Sequence, residues 1–313
     1  MPDIASAPGT SRSAGILIDD LARDLTGEAR IHPTAEVDPS ARIDPTARIG
    51  AGARIEPDVI VGPGCIIGPR TRLRSRSIIV EHTVLGVGND VHPFAVLGGD
   101  PQDRAADPSK RNRVIIGDEN IFREGVSVHR GTNDGPATQI GSRCYMMVQS
   151  HVGHNARLGN GVTMANCAAL AGHAHVGDNC VLSAYSAIHQ FTTVGEGVMF
   201  QGGSGVSMHV PPFVVVSASI NDIAGLNKVG LRRNPSLTDQ DRADVKRVFK
   251  AVYLDRGARS LEATVNELSG LALAPAAVRF LDFLRMVLNE QPPRRRGLCG
   301  MHRKAARTTD VDT

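Results

Sequence analysis

Residues 140–206 read IGSRCYMMVQSHVGHNARLGNGVTMANCAALAGHAHVGDNCVLSAYSAIHQFTTVGEGVMFQGGSGV. A step of six from Ile140 lands on Met146, Val152, Leu158, Met164, Leu170, Val176, Leu182, Ile188, Val194, Phe200 and Val206, all apolar. The fourth residue after each runs Cys144, Ser150, Ala156, Val162, Ala168, Ala174, Cys180, Ser186, Thr192, Val198 and Ser204, all small. Strand side chains alternate between faces, so a large and a small inward position two residues apart describe a narrow interior. A second run of the same period extends from Ile31 to Leu97, and proline stands two places after the aliphatic at Pro33, Pro39, Pro45, Pro57, Pro63, Pro69 and Pro93. Proline fixes φ and has no N–H for a ladder, which suits a recurrent corner. Flat faces of six residues joined by tight corners give a mainly β chain: a parallel β-helix with three faces and eighteen residues per coil.

The rest of the chain is placed around that solenoid. Residues 98–115 and 132–139 interrupt the rhythm, and excursions from a rigid scaffold are where binding groups gather. Past residue 215 the period changes. Thr238 with Asp241 forms a capping-box pattern, Ser260 is a second cap, and Pro275 opens a third helix with Phe280, Phe283, Leu284 and Val287 on one face. The expected domains are an extension over 1–30, the β-helix over 31–215, a C-terminal helical domain over 216–290 and a basic tail over 291–313. The extension holds at most one short amphipathic piece, Ile16 to Leu25.

Composition narrows the function. The 313 residues carry net charge +3, but residues 291–313 alone carry +4 and the preceding 290 sum to −1. The basicity thus belongs to a tail expected to be solvated, not to a nucleic-acid-binding surface. No apolar run approaches the ~18 residues of a membrane span, and the first thirty residues lack a signal-peptide core. Five cysteines without framework spacing suit a reducing, cytoplasmic compartment. Cys65, Cys144 and Cys180 take the small inward slot; Cys167 and Cys299 have no assigned role.

Seven of the eleven histidines fall between residues 129 and 209, none in an inward slot. The eighteen-residue coil stacks His154, Gly172 and Gln190, with His173 and His189 one residue to either side of that line and His151 three before His154. Imidazole is a general base near neutral pH, and a glycine N–H can hold a developing oxyanion. That pairing suits direct acyl transfer from a thioester to a hydroxyl or amine, without a covalent enzyme intermediate. A zinc site on His151, His154 and His173 is the rival use of the same residues.

The strings VSVHRGT (126–132), HVGHN (151–155), LAGH (170–173), AIHQF (187–191), GGSGV (202–206) and VPPF (210–213), with Gln102–Asp103, resemble the acyl-carrier-protein:UDP-N-acetylglucosamine O-acyltransferases of lipid A synthesis over residues 31–298. The resemblance implies a left-handed β-helix and a cytoplasmic homotrimer with sites between subunits. It implies acyl carrier protein as donor, a nucleotide sugar as acceptor, and neither cofactor nor metal. It places the general base on His154 and the oxyanion N–H on Gly172. Gln102, Asp103, His151, His173, His189, Gln190, Asn227 and Arg233 fall on substrate-binding positions, and Gly202 on the position that limits acyl length.

Three residues depart from the pattern. Asn155 replaces an aspartate after the base; its amide can orient the imidazole but cannot stabilise the imidazolium as a carboxylate does. Ala105 replaces a lysine, with Lys110 and Arg111 in the same excursion, and Val229 replaces a glutamate. The alternatives are O- or N-acylation of a different nucleotide sugar, and a non-catalytic paralogue that binds carrier protein or nucleotide sugar.

Overall fold

The computed structural model describes residues 30–110, 112–133 and 135–301. The 1–29 part of the N-terminal extension, Arg111 and residues 302–313 of the basic tail lie outside the described residues. Short strands repeat every six residues and pair in parallel into three sheets, here faces 1, 2 and 3, which begin at Glu36–Val37, Arg42–Ile43 and Arg48–Ile49. Strand partners are eighteen residues apart, as in Ile79↔Leu97 and Val152↔Leu170.

The inward ladders are those read from the period. From Ile49 to Leu97 and from Ile140 to Val206 every large slot is buried, and every small slot from Cys144 to Ser204 is buried with it. Ile31, on the first described coil, has no coil beneath it among the described residues and is 42 % exposed. The two asparagines of the small column pair with each other and with the main chain: Asn89 Oδ1 accepts from Asn120 Nδ2 at 2.9 Å, and Asn89 Nδ2 donates to Gly117 O at 2.9 Å, whereas the buried hydroxyls of Ser77, Ser150 and Thr192 make no hydrogen bond. The corners explain the prolines. Pro57, Pro63, Pro69 and Pro93 each precede a residue of positive φ (Asp58, Gly64, Arg70 and Phe94), the pairing of a type II turn.

Both excursions leave the solenoid at one corner. The partner spacing grows to thirty-one residues at Leu97↔Val128 and to twenty-four at Val128↔Val152. The extra residues lie between a face 2 strand and the next face 3 strand, after Val96–Gly99 and after Ser127–His129. The same corner carries residues 153–156, 171–174 and 189–192.

The solenoid ends less abruptly than the change of period suggests. Val214–Val216 still pairs with Met199–Phe200, then turns into an antiparallel pairing with Asp222–Leu226, which in turn takes Gly300–Met301. Four helices follow or intervene: α1 Lys228–Arg233, α2 Asp239–Tyr253, α3 Leu261–Ser269 and α4 Pro275–Asn289. The last three start at the caps read from sequence, with the Thr238–Asp241 capping box closed in both directions and Ser260 accepting from Ala263 N–H. Helix α1 was not expected; Asn227 caps it by accepting from Gly230 N–H at 2.9 Å. The described start of the basic tail is not solvated throughout: Arg294 packs against face 3, and Cys299 is buried. Among the described residues no helix is long and apolar enough to cross a membrane.

Candidate active site

His154 sits on the corner between faces 2 and 3, half-buried, with Nδ1 2.9 Å from Asn155 Oδ1. Asn155 is fully buried, at φ 58°, a left-handed conformation that asparagine tolerates better than most residues. Its amide is fixed from both ends. Oδ1 accepts from Thr132 N–H and from Thr132 Oγ1, each at 3.0 Å, while Nδ2 donates to Pro136 O at 2.6 Å. A backbone N–H can only donate and a carbonyl can only accept, so the oxygen of Asn155 must face His154. Nδ1 therefore donates, and in the neutral imidazole this tautomer leaves the lone pair on Nε2, the arrangement required of a general base.

The second excursion is the device that holds this amide. Thr132 and Pro136 belong to it, and Asn155 N–H donates to Thr138 Oγ1 at 2.8 Å where it rejoins the solenoid. Asn112 Nδ2, from the first excursion, donates to Gly135 O at 2.6 Å, and Asp107 N–H donates to Asn133 Oδ1 at 2.8 Å. Arg130 roots the first excursion through Gly98 O at 3.2 Å and ion pairs with Glu81 at 2.8 Å and with Asp100.

One coil beyond, Gly172 faces the imidazole. A Cβ built on Gly172 would lie 2.6 Å from His154 Cε1 and closer still to Nε2, so only glycine leaves room for the ring. Gly172 occupies the turn position held by Pro45 and Pro63 on earlier coils. Proline has no N–H, so the ladder needs no donor there. The Gly172 N–H is accordingly spare, beside a basic imidazole nitrogen.

Further histidines complete the corner. His173 meets His154 edge-on, with ring centroids 5.2 Å apart at 90°, and stacks on Phe191 at 4.7 Å and 17°. His151 lies 5.2 Å from His129, and its Nδ1 is 2.9 Å from Ser127 Oγ. Burial, then the neighbouring His129 and His154, push the His151 pKa down to about 4; burial and His154 also lower that of His173, against the opposing pull of Asp103. Both rings are therefore neutral at pH 7 and able to donate or accept a hydrogen bond without adding charge. Asp103, at the base of an Asx turn closed by Ala105 N–H at 2.9 Å, and the exposed Gln102 lie in the first excursion. His189 and Gln190 are exposed on the next coil, with His189 Nδ1 donating to Gln190 O at 3.2 Å.

The remaining candidates lie elsewhere in the chain. Asn227 Nδ2 donates to Gly197 O at 2.9 Å, on the corner between faces 3 and 1, so its amide is engaged in capping α1 and in holding that corner. Arg233 is exposed at the end of α1, and Gly202 is exposed on the corner between faces 1 and 2. Among the described residues no three His, Cys, Asp or Glu side chains are arranged to hold a metal ion. Phe191, Thr132 and Arg294, which had no role assigned from the sequence, also contact this corner. Phe191 carried a signal, since it shares with Asn155 and His173 the turn position of this corner.

Comparison with known proteins supplies the family. The model for UDP N-acetylglucosamine O-acyltransferase domain 2 matches residues 209–299, and that for the bacterial transferase hexapeptide matches residues 40–75. The acyl-[acyl-carrier-protein]–UDP-N-acetylglucosamine O-acyltransferase of Anaeromyxobacter is 40 % identical over 206 residues, 65 % of this chain and 78 % of that one. The chain belongs to the UDP-N-acetylglucosamine O-acyltransferase family.

It is an acyltransferase with the left-handed β-helix and C-terminal helices of that family. The crystal structure of the UDP-N-acetylglucosamine O-acyltransferase of Moraxella catarrhalis covers 87 % of this chain and all of its own, with TM-score 0.72 and 32 % identity. That of Bacteroides fragilis covers 84 % of this chain and 99 % of its own, with TM-score 0.75 and 28 % identity.

Proposed function

We propose that the protein moves a fatty acyl group from acyl carrier protein to the 3-hydroxyl of UDP-N-acetylglucosamine, with His154 as general base. The observation that supports the mechanism is the fixed amide of Asn155, which in the neutral ring selects the tautomer with its lone pair on His154 Nε2, beside the spare N–H of Gly172. His154 Nε2 takes the proton of the sugar hydroxyl as its oxygen attacks the thioester carbonyl. The Gly172 N–H donates to the oxyanion that forms. Collapse expels the thiolate, and the proton on Nε2 passes to sulfur, so His154 returns to its starting state without covalent attachment.

Asp103, His151, His173, His189 and Gln190 would hold the acceptor around the corner, and Asn227 and Arg233 would lie near the nucleotide. In one chain the histidine corner, the α1 region carrying Asn227 and Arg233, and the corner of Gly202 lie apart, which supports a homotrimer whose sites take residues from neighbouring copies. The free state of the cysteines among the described residues suits work in the cytoplasm.

Asn155 favours a second acceptor reading, because a neutral orienting group assists a base less than a carboxylate does. An amine would ask less of the base than a hydroxyl. The test offers one acyl carrier protein with UDP-N-acetylglucosamine and with its 3-amino analogue. A hydroxylamine-labile ester as the faster product supports the first reading. A faster, hydroxylamine-stable amide would replace it with the second.

A further inference from the structure

The chain returns from the helical end to the histidine corner. After α4, His209 N–H donates to Gly297 O at 2.7 Å, Cys299 N–H donates to His209 O at 2.8 Å, and the Tyr253 hydroxyl donates to Cys299 O at 3.1 Å. Nδ1 of the fully buried His209 accepts from Thr193 N–H at 3.0 Å, so Nε2 carries the proton and donates to Arg294 O at 2.7 Å. The strap over residues 294–301 is thus tied down by main-chain groups, whatever side chain stands at 294.

That side chain runs toward the site. Arg294 Nη2 donates to His173 O at 3.2 Å and to His175 Nε2 at 3.0 Å. Its guanidinium carbon is 6.0 Å from the centroid of the Phe191 ring, and that of Arg296 is 5.9 Å from the same centroid, within cation–π range. Phe191 stacks on His173, and His173 abuts His154. A continuous series of contacts joins the strap to the imidazole of the base.

We propose that Arg294 is a positioning residue of the acyl transfer, holding the His173 main chain and the Phe191–His173 stack so that His154 stays seated against Gly172. This rests on the reading of His154 as the base. An arginine is suited to the task because one planar group makes two hydrogen bonds while lying over an aromatic ring; an ammonium on a flexible stem cannot do both. The fixed charge has a second effect. It opposes protonation of His173, which also faces His154 and, with opposite sign, Asp103, and it adds to the burial that pushes His175 down to about 3.

The test compares Arg294→Met and Arg294→Lys with the wild-type enzyme, with His154→Ala in parallel. Readouts are kcat and KM for the nucleotide sugar, the assembly state, and the titration of the His173 ring followed by NMR. Arg294→Met is expected to lower kcat by about ten- to a hundredfold with KM unchanged, and to shift the His173 titration to higher pH. Arg294→Lys should restore most of the titration but not the rate. Wild-type kcat in both variants, an effect on KM alone, or an unmoved His173 titration would overturn the proposal. Activity in His154→Ala would instead overturn the base assignment, while the titration still reports whether Arg294 acts on His173.

Discussion

Asn155 is the residue that the family resemblance marks as a departure, and the structure shows what its amide does: both ends are held. An aspartate there would set a carboxylate oxygen against Pro136 O, at the position from which Nδ2 now donates over 2.6 Å. Asn155→Asp should therefore cost about 1–3 kcal/mol of stability, read as a lower denaturant midpoint; an unchanged midpoint would show that the amide is not needed. The rate gain expected from a carboxylate would have to be won in a loosened excursion. Gly172→Ala isolates the neighbouring requirement. Its Cβ must displace the His154 ring, so kcat should fall about a hundredfold while the fold is kept; near wild-type activity would contradict the close approach. His154, Gly172 and His173 were legible in the sequence because an eighteen-residue period fixes which residues stack. Arg294 was not, because its contact spans 121 residues and no period links the tail to a corner.

Among the elements, the solenoid strands were almost fully legible: each needs only a large and a small inward residue in alternation, and the pattern repeats without a miss. The helices were legible where a cap announced them. Thr238→Ala should cost about 1 kcal/mol, since it opens both halves of the capping box; no change in melting temperature would mean the first turn of α2 is held by tertiary packing alone. Helix α1 was missed because its six residues carry no apolar period, and its cap is an asparagine that the family resemblance had drawn toward the nucleotide. The excursions show a different limit. Their charge and glycine content marked them as interruptions, but their task, clamping Asn155 through Thr132 and Pro136, depends on a loop conformation that no local pattern encodes.

The candidate groups lie on different corners of the solenoid and on α1, so the proposed sites between copies would link function to assembly. Co-assembly of equal amounts of His154→Ala and Arg233→Ala should recover about a quarter of wild-type activity if each site draws on two copies. No recovery from mixed trimers would place both residues in one subunit's site. Acid should also act on the molecule as a unit. His151, with a pKa near 4, and His175, near 3, lie below the ordinary imidazole value, and His173 and His209 are lowered too. Between pH 6.5 and about 4 the unfolded chain binds more protons at these four sites, so their contribution is intact above pH 6.5 and is lost as pH falls. Glu290, raised to about 7 by burial, acts in the opposite sense between pH 4.5 and 7, but it is one group against four. The melting temperature should therefore decline from pH 7 to pH 5, and a flat profile would contradict the buried, neutral state of the histidine corner.

The most direct test of the account is product analysis by mass spectrometry. Wild-type protein and His154→Ala, matched in assembly and melting temperature, are given acyl carrier proteins of mixed chain length with UDP-N-acetylglucosamine. The account predicts an O-acylated sugar nucleotide from the wild type and a loss of at least about a hundredfold in the variant. Comparable product from both proteins, or none from the wild type while it binds the nucleotide sugar, would contradict it.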